Sequence, residues 1–428
     1  MKKYFAIIIT LILVTLLIFF AIKEISKYRF GYFVEGPELK YEHRDADVLK
    51  LENGNVLILG QNAHSCPTRE TCKDDIMPVI EVPSEIYNAK TNKIEELRLP
   101  NNIRYQAKGI LLKNNRLLLT HAYDPSNDSY PKVKKVGELL KDIKQPYLYD
   151  SMAVVNLNTL KVERVLKKKI NQKYIPDYKW TNFTLLENNK VLIIDFLNNA
   201  IEICNLESNA SKILPNTKIN KEFGSVVITK GKNKGLIFGP TKLPHKKYSD
   251  LKYGELDNVL EYDDATETVS TVGKVMRRDF PLIKKINNNE LLIMGGDFRG
   301  KWDLREIEKY NLDSNSSEII AKLKQERNFE ITTKASSFNG ALIDDRYFLI
   351  AGGSFGGKPL EITRKSTEIL DLQNFTITEG PKMHRRQANY KMITLNNENI
   401  LLIGGKDIGN SKKIQVFKNL KRGQINGK

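Results

Sequence analysis

A hairpin motif that recurs along the chain constrains the fold more than any other feature of the sequence. Each copy has an apolar segment, a short polar turn rich in Asn, and a second apolar segment ending at or near Gly. β-Branched and aliphatic residues favour strands, and Asn or Gly accepts the positive φ of a tight turn. Clear copies span residues 48–61, 286–297, 341–354 and 392–406, and weaker copies span 110–121, 183–195 and 226–239.

A second pair of apolar segments follows most of these hairpins after a loop of variable length. The pairs span residues 84–98, 151–166, 200–215, 258–273, 306–321 and 367–381. Four strands per unit, repeated at a spacing of about 45 to 75 residues, are typical of a β-propeller. A repeat architecture also suits the length of 428 residues, which exceeds the usual size of one hydrophobic core. The sequence predicts an all-β propeller with seven blades.

Glycine pairs and a Glu-x-Tyr pattern link these repeats to a known family. The pairs Gly295-Gly296, Gly352-Gly353 and Gly404-Gly405 end second strands, and Glu85-Ile86-Tyr87 and Glu308-Lys309-Tyr310 lie in third strands. In these motifs the chain resembles the kelch-repeat β-propellers, which include galactose-oxidase-like propellers, over residues 30–420. The first four copies lack the full glycine pair, and Ile94 and Val162 replace the family's tryptophan. The resemblance implies a seven-bladed kelch-type β-propeller and assigns no subfamily.

The seventh copy supplies three strands, the last of them over residues 414–418, before a polar segment. Residues 31–40 could add the fourth strand and close the ring, which would leave no free sheet edge. The alternative is that these residues form an extended stalk. The predicted organisation is a membrane anchor at 1–25, a stalk and ring-closing strand at 26–46, the propeller at 47–421 and a polar tail at 422–428.

An uncharged run over residues 4–22 is long enough to cross the hydrocarbon core of a bilayer as a helix. No Ala-x-Ala cleavage site follows the run, so we expect an uncleaved signal-anchor and a single-pass membrane protein. Lys2 and Lys3 before the run are balanced by Lys23, Lys27 and Arg29 after it, and the charge rule therefore assigns no orientation. A large domain after an N-terminal anchor is usually exported, which favours a propeller outside the cytoplasm.

The three cysteines point to two different roles. Cys66 and Cys72 bracket a short loop and could form a disulfide, which would also favour an oxidising compartment. Cys204 lies in an alternating apolar segment, where a buried hydrophobic role is expected. Copper radical oxidases with a related propeller need a Cys beside a Tyr in the pocket, and Cys204 in a strand does not fit that role.

The chain is basic, with 68 Lys and Arg against 51 Asp and Glu and a formal charge of +17. Such a charge attracts anionic lipid, polysaccharide or nucleic acid. The charges are spread along the chain and no basic arm is present, so a nucleic-acid partner is not expected. The expected partners are the membrane, through residues 4–22, and a protein or an anionic glycan.

The loops between second and third strands share one face of a propeller with the connections between blades. Three of these loops are long, at residues 61–83, 122–150 and 240–257, and binding residues concentrate on such loops. All five histidines map to this face: His43, His64, His121, His245 and His384. Their spacing matches no zinc motif, and we expect neither a metal nor another cofactor.

An arginine recurs about ten to twelve positions before the hairpin turn, at Arg44, Arg104, Arg278 and Arg386. Arginine forks bind carboxylate and phosphate groups in pairs, so these residues and His43, His64, His121 and His384 form the candidate ligand site. The alternative is that the arginines are solvated or pair with neighbouring acids such as Asp45 and Asp279.

Two functions are compatible with this architecture. The first is a binding module that presents its loop-rich face to a protein or glycan outside the cytoplasm. The second is an envelope enzyme, an isomerase or lyase that holds an acidic sugar by Arg and moves a proton with His or an acid. A closed pocket where Arg and His converge would favour the enzyme, and an open face would favour the binding module.

Overall fold

The computed structural model describes residues 2–43, 46–64, 79–123, 151–170, 181–196, 199–214, 219, 225–239, 252–279, 281–298, 302–325, 327, 329–330, 335–336, 338–355, 362–388, 390–396, 398–405 and 412–420. One helix, α1 (Lys2–Lys27), precedes the strands. The strands are β1 Gly31–Glu38, β2 Val48–Lys50, β3 Val56–Ile58, β4 Gln61–His64, β5 Val79–Val82, β6 Ser84–Asn88, β7 Lys93–Leu97, β8 Arg104–Tyr105, β9 Gly109–Leu112, β10 Arg116–Tyr123, β11 Ser151–Asn156, β12 Lys161–Lys167, β13 Thr181–Leu185, β14 Lys190–Asp195, β15 Ala200–Asn205, β16 Ser211–Ile213, β17 Val226–Lys230, β18 Lys234–Phe238, β19 Leu256–Asp263, β20 Thr268–Met276, β21 Leu282–Lys285, β22 Glu290–Met294, β23 Asp297–Phe298, β24 Trp302–Asp303, β25 Glu306–Asn311, β26 Ser316–Lys322, β27 Phe329–Glu330, β28 Ala335–Ser336, β29 Phe338–Leu342, β30 Tyr347–Gly352, β31 Ser354–Phe355, β32 Ile362–Thr363, β33 Thr367–Asp371, β34 Ile377–Glu379, β35 Lys391–Thr394, β36 Ile400–Ile403 and β37 Lys413–Asn419.

The strands form seven four-stranded antiparallel blades, which confirms the predicted fold class. With the strands of each blade given from the innermost to the outermost, the blades are β2-β3-β6-β7, β9-β10-β11-β12, β13-β14-β15-β16, β17-β18-β19-β20, β21-β22-β25-β26, β29-β30-β33-β34 and β35-β36-β37-β1. We call them blades 1 to 7. Each pairs only antiparallel neighbours, as short turns between strands require.

The hydrophobic core is a ring of layers between neighbouring blades. One cluster packs blade 3 on blade 4 through Leu192 and Ile237, and another packs blade 5 on blade 6 through Leu292 and Ile350. Each of these four side chains has no exposed surface. Because both faces of every blade are covered, the second strands are continuous apolar runs rather than alternating ones. This burial explains why the hairpins are visible in the sequence.

Blade 7 is completed by the N-terminal strand. β1 pairs with β37 from Gly31 opposite Asn419 to Glu38 opposite Lys413, with a register shift between Glu35 and Glu38. The Phe33 ring lies 5.2 Å from the Phe417 ring. The structure thus places residues 31–38 in the ring, as its outermost strand in blade 7, and not in a free stalk.

The turn between the third and fourth strands repeats the same chemistry in six blades. An Asn or Asp at the end of the third strand accepts hydrogen bonds from backbone N–H groups of the turn, as Asn88 does from Lys90 and Thr91. The other members are Asn156, Asn205, Asp263, Asn311 and Asp371. Four positions later the backbone has a positive φ, at Asn92, Leu160, Asn209, Glu267, Asn315 and Phe375. These side-chain bonds hold the turns tight.

Helix α1 contacts the propeller at its C-terminal end, where Lys27 pairs with Glu379 of β34 at 3.0 Å. Every residue from Ile8 to Ile22 is exposed, and the stretch Ile8–Lys27 is long and apolar enough to cross a membrane. By length and composition it is a candidate span, as the sequence predicts.

Candidate functional site on the loop face

The two faces of the propeller differ in construction. The turn face carries the turns between first and second strands (residues 51–55, 113–115, 186–189, 231–233, 286–289, 343–346, 395–396 and 398–399) and those between third and fourth strands. The loop face carries the connections between second and third strands and between blades, which include residues 39–43, 98–108, 277–279 and 380–388. Among the described residues, the loop face carries four small hairpins or extensions: β4-β5, β23-β24, β27-β28 and β31-β32.

A raised wall joins blades 1 and 2 on the loop face. The β4-β5 hairpin of blade 1 pairs through Asn62 with Tyr105 of β8, and β8 pairs with the extended end of β10 in blade 2. Tyr105 is buried in this wall, and burial raises the pKa of its hydroxyl well above its usual range. Arg104, beside Tyr105, is half-buried there. The wall is a projecting structure on the loop face, and the described residues of the turn face form no such structure.

His43 lies inside blade 1. Its side chain is buried, with Nε2 2.7 Å from the Glu85 carboxylate and Nδ1 3.1 Å from the Leu59 carbonyl. Glu85 also accepts the backbone N–H of Lys40 at 2.8 Å. His43 therefore fixes the connection from blade 7 to blade 1, and both of its ring nitrogens have hydrogen-bond partners inside the protein.

Arg278 has an equivalent position in blade 5. Its guanidinium is buried and donates to the carbonyls of Gly295 and Glu306, at 3.2 and 3.1 Å, and to the Glu308 carboxylate at 3.3 Å. Burial lowers the pKa of this guanidinium, while the carboxylates of Glu308 and Glu306 oppose that shift. Arg278 thus binds the first glycine of a glycine pair, and these contacts are structural.

The same arrangement recurs in the next two blades, with residues that the sequence analysis did not single out. In blade 6, Arg327 donates to the Gly352 and Ser366 carbonyls and to Glu368, whose carboxylate lies 3.0 Å from Nη2. In blade 7, Gln387 donates to the Gly404 carbonyl and pairs with Gln415. In blades 5, 6 and 7, a side chain on the connection before the blade thus donates a hydrogen bond to the end of the second strand.

Each of these connecting residues, His43, Arg278, Arg327 and Gln387, has as its partner a buried acid or amide on the third strand. This position is occupied by Glu85, Glu202, Glu308, Glu368 and Gln415, and each accepts a backbone N–H from the preceding connection or, for Glu308, from the last residue of the strand before it. Four of them are Glu three positions before the Asn or Asp of the turn, a spacing that is visible in the sequence. Blades 2 and 4 have Ala153 and Leu260 there.

His121 is buried between blades 2 and 3. Its Nδ1 lies 2.9 Å from the Thr120 hydroxyl, and its ring meets the Phe183 ring edge-on at 4.8 Å. Burial, and then the charge of Lys168, holds the pKa of His121 well below its usual range, so the ring is neutral near pH 7. A neutral imidazole in this apolar layer packs as part of the core.

The exposed members of the predicted site are Arg386 and His384, on the connection between blades 6 and 7. His384 Nε2 lies 3.1 Å from Glu35 on the outermost strand of blade 7, so this histidine sits at the outer edge of the propeller. Arg386 is exposed on the same connection. Arg44, His245, Cys66 and Cys72 lie outside the described residues, and so does the side chain of His64.

The described histidines are not brought together: His43 is inside blade 1, His121 between blades 2 and 3, and His384 at the edge of blade 7. Within the described ranges, no group of three His, Cys, Asp or Glu could hold a metal ion. Cys204 is buried, and burial and then the nearby Glu202 raise the pKa of its thiol to about 11. The thiol is therefore protonated and packs as an apolar group.

Two lysines lie on strands that line the central channel. Burial, and then the charge of Lys391 on β35, lowers the pKa of Lys284 on β21 to about 8. An anion between two such cations would be favoured, because it would relieve their repulsion.

No family model and no curated protein sequence matches this chain. A solved structure that is similar is described as a "novel fungal alcohol oxidase with catalytic diversity among the AA5 family, in complex with copper". The similarity has a TM-score of 0.62 and 13% sequence identity, and it covers 91% of this chain and 76% of that one. At this identity the similarity shows the propeller fold alone.

Proposed function

We propose that this protein is a membrane-anchored, kelch-type binding module whose loop face captures an anionic ligand. The observation that carries the proposal is the asymmetry of the two faces. In the described residues, the connections between strands on the turn face are short turns, whereas the loop face carries the added hairpins and the wall between blades 1 and 2. Binding surfaces are built on loops over a rigid scaffold. An anionic glycan is the ligand class to test first, because of the net charge of +17 and the channel lysines.

The kelch assignment is supported by the backbone of the glycine pairs. Gly352 and Gly353 have φ values of 59° and 93°, and a Cβ on Gly352 would lie 2.4 Å from the Gln387 carbonyl oxygen. Only glycine accepts both the positive φ and this close approach. The pairs at 295–296 and 404–405 also have positive φ. The motif is thus a backbone requirement at the point where a connection binds the end of a second strand.

A binding role is favoured over catalysis by the state of the candidate acid–base groups. His43 and Arg278 are engaged by the fold, and His121 is neutral inside an apolar layer. The similar fungal enzyme was solved with copper, an ion that imidazole ligands suit. His43, His121 and His384 lie in separate parts of the propeller, so the described residues do not fit a copper site.

Removing positive charge from the loop face is expected to weaken ligand capture. In Arg104→Ala/Arg386→Ala, capture of an acidic polysaccharide by the full chain in detergent should weaken at least about 30-fold, or about 2 kcal/mol. The matched control is Lys90→Ala/Lys93→Ala, which removes the same charge from exposed turn-face positions. The measurement is the Kd on a glycan array, with melting as a check of folding.

Equal weakening by the turn-face variant would show a non-specific charge effect and would refute the loop-face site. Retained binding by Arg104→Ala/Arg386→Ala would move the contact surface to Arg44 or to the loops at 61–83 and 122–150. Capture of a protein from an envelope extract without glycan binding would change the ligand class.

We further propose that the propeller lies outside the cytoplasm. Cys66 and Cys72 lie on the C-terminal side of the anchor, in the loop at residues 61–83, and give a chemical probe of this side. After mild reduction of intact cells, or of spheroplasts where an outer membrane is present, a membrane-impermeant maleimide should label them. Labelling that requires lysis would place the propeller in the cytoplasm. The Cys66→Ser/Cys72→Ser variant measures the background from buried Cys204.

A further inference from the structure

The helix α1 is joined to the propeller by a short, fixed segment. The helix ends at Lys27, and β1 begins at Gly31. Between them, Phe30 is buried with its ring 4.5 Å from the Tyr347 ring, and its carbonyl accepts the Leu420 N–H at 3.2 Å. Three residues span at most about 10 Å. The end of the helix is therefore held close to the propeller surface.

The join lies on the turn face. Gly31 pairs with Asn419, the last residue of β37. The Asn419 N–H donates to the Asn399 side chain in the turn of blade 7, and its side-chain amide donates to the Ile343 carbonyl in the turn of blade 6. The opposite end of β1, at Glu38, points to the loop face. The join therefore lies at the turn face of blades 6 and 7, and Lys27 at the end of the helix also pairs with Glu379 on the outer strand of blade 6, at 3.0 Å.

Exposed aromatic residues surround the join. Tyr28 and Tyr32 are 44% and 43% exposed, and the Arg29 guanidinium lies 4.4 Å from the centre of the Phe30 ring. Tyrosine is enriched at the interface between membrane and water, where its ring is apolar and its hydroxyl is solvated. Two exposed tyrosines and an arginine directly after a candidate span are therefore suited to the lipid headgroup region.

We infer that the turn-face edge at blades 6 and 7, with Tyr28, Arg29 and Tyr32, docks on lipid headgroups, so that the loop face points away from the bilayer. This inference rests on the proposed membrane anchor and adds a direction to it. The partner of this edge is the headgroup layer of the membrane that holds α1. The loop face then meets ligands from the aqueous phase.

The test compares two labelled positions on blade 6. Gln373 lies in the turn between β33 and β34, and Lys382 lies on the connection after β34; both are exposed. Single-cysteine variants Gln373→Cys and Lys382→Cys are made in Cys66→Ser/Cys72→Ser, where Cys204 stays buried. The full chain is reconstituted into vesicles with acceptor-labelled headgroups, and energy transfer from a fluorophore at each position is measured.

Energy transfer from the Gln373 position should exceed that from the Lys382 position. The reason is that the two positions differ in height above the membrane by about 17–20 Å, the length of a five- or six-residue strand. Equal or reversed transfer in vesicle-bound protein would overturn the inference and leave the anchor intact. Failure of the chain to float with the vesicles would overturn both. A flexible Gly-Ser insertion between Lys27 and Tyr28 should abolish the difference, and persistence of the difference would contradict the role assigned to the join.

Discussion

Replacing Glu368 by Ala is expected to lower the free energy of unfolding by about 3–5 kcal/mol, the range for removal of one partner of a buried ion pair. Glu368 accepts both from the Arg327 guanidinium, at 3.0 and 3.1 Å, and from the Lys324 backbone N–H at 2.7 Å. The side chains of Arg327 and Glu368 are 0% and 1% exposed. Without the carboxylate, a cation stays buried and the connection between blades 5 and 6 loses its anchor.

Two variants separate this mechanism from a general loss of charge. Glu368→Gln retains an acceptor for the Lys324 N–H and should cost less, since Gln415 occupies this position in blade 7. Arg98→Ala removes an exposed pair with Glu81 and Glu96 and should cost about 1 kcal/mol or less. Urea unfolding gives the free energies. A loss in Glu368→Ala no greater than in Arg98→Ala would refute the structural role of the buried carboxylate.

Deleting residues 2–27 is expected to leave a folded propeller, whereas deleting residues 2–39 is expected to destabilise it by about 5–9 kcal/mol. The second deletion removes three buried side chains, Phe30, Phe33 and Leu39, at about 1.5–3 kcal/mol each. It also strips β1 from β37 and exposes a sheet edge. The first deletion removes helix α1, whose described side chains from Ile8 to Ile22 are exposed, and the partly exposed ion pair between Lys27 and Glu379.

Membrane fractionation and melting check both deletions. The full chain should stay with the membrane in alkaline carbonate, the 2–27 deletion should be soluble with one cooperative transition, and the 2–39 deletion should aggregate or melt far lower. Release of the full chain by carbonate would refute the anchor. Equal melting of the two deletions would mean that β1 does not hold the ring.

Much of the architecture could be predicted from the sequence because each blade is built from local hairpins. Second strands such as β14 and β36 are buried on both faces, so they are continuous apolar runs. Tight turns need residues that accept positive φ, and Asn114 and Asn115 have φ values of 60° and 54°. The candidate site was harder to predict, because the buried Glu of the third strand acts on a connection about 30 to 45 residues away in the chain, as Glu202 does on Lys169 and Glu308 on Met276.

The sequence by itself determined the repeat, the number of blades and the apolar helix, since strand and turn preferences are local properties of the chain. Only the tertiary structure decided which polar residues meet solvent. Arg278 and Arg386 were equivalent by type and spacing, yet the first is buried against Glu308 and the second is exposed. The exposure of a connecting residue depends on whether a third strand offers a carboxylate and whether a second strand presents free carbonyls beneath it. Those contacts exist only after the blades have packed into a ring.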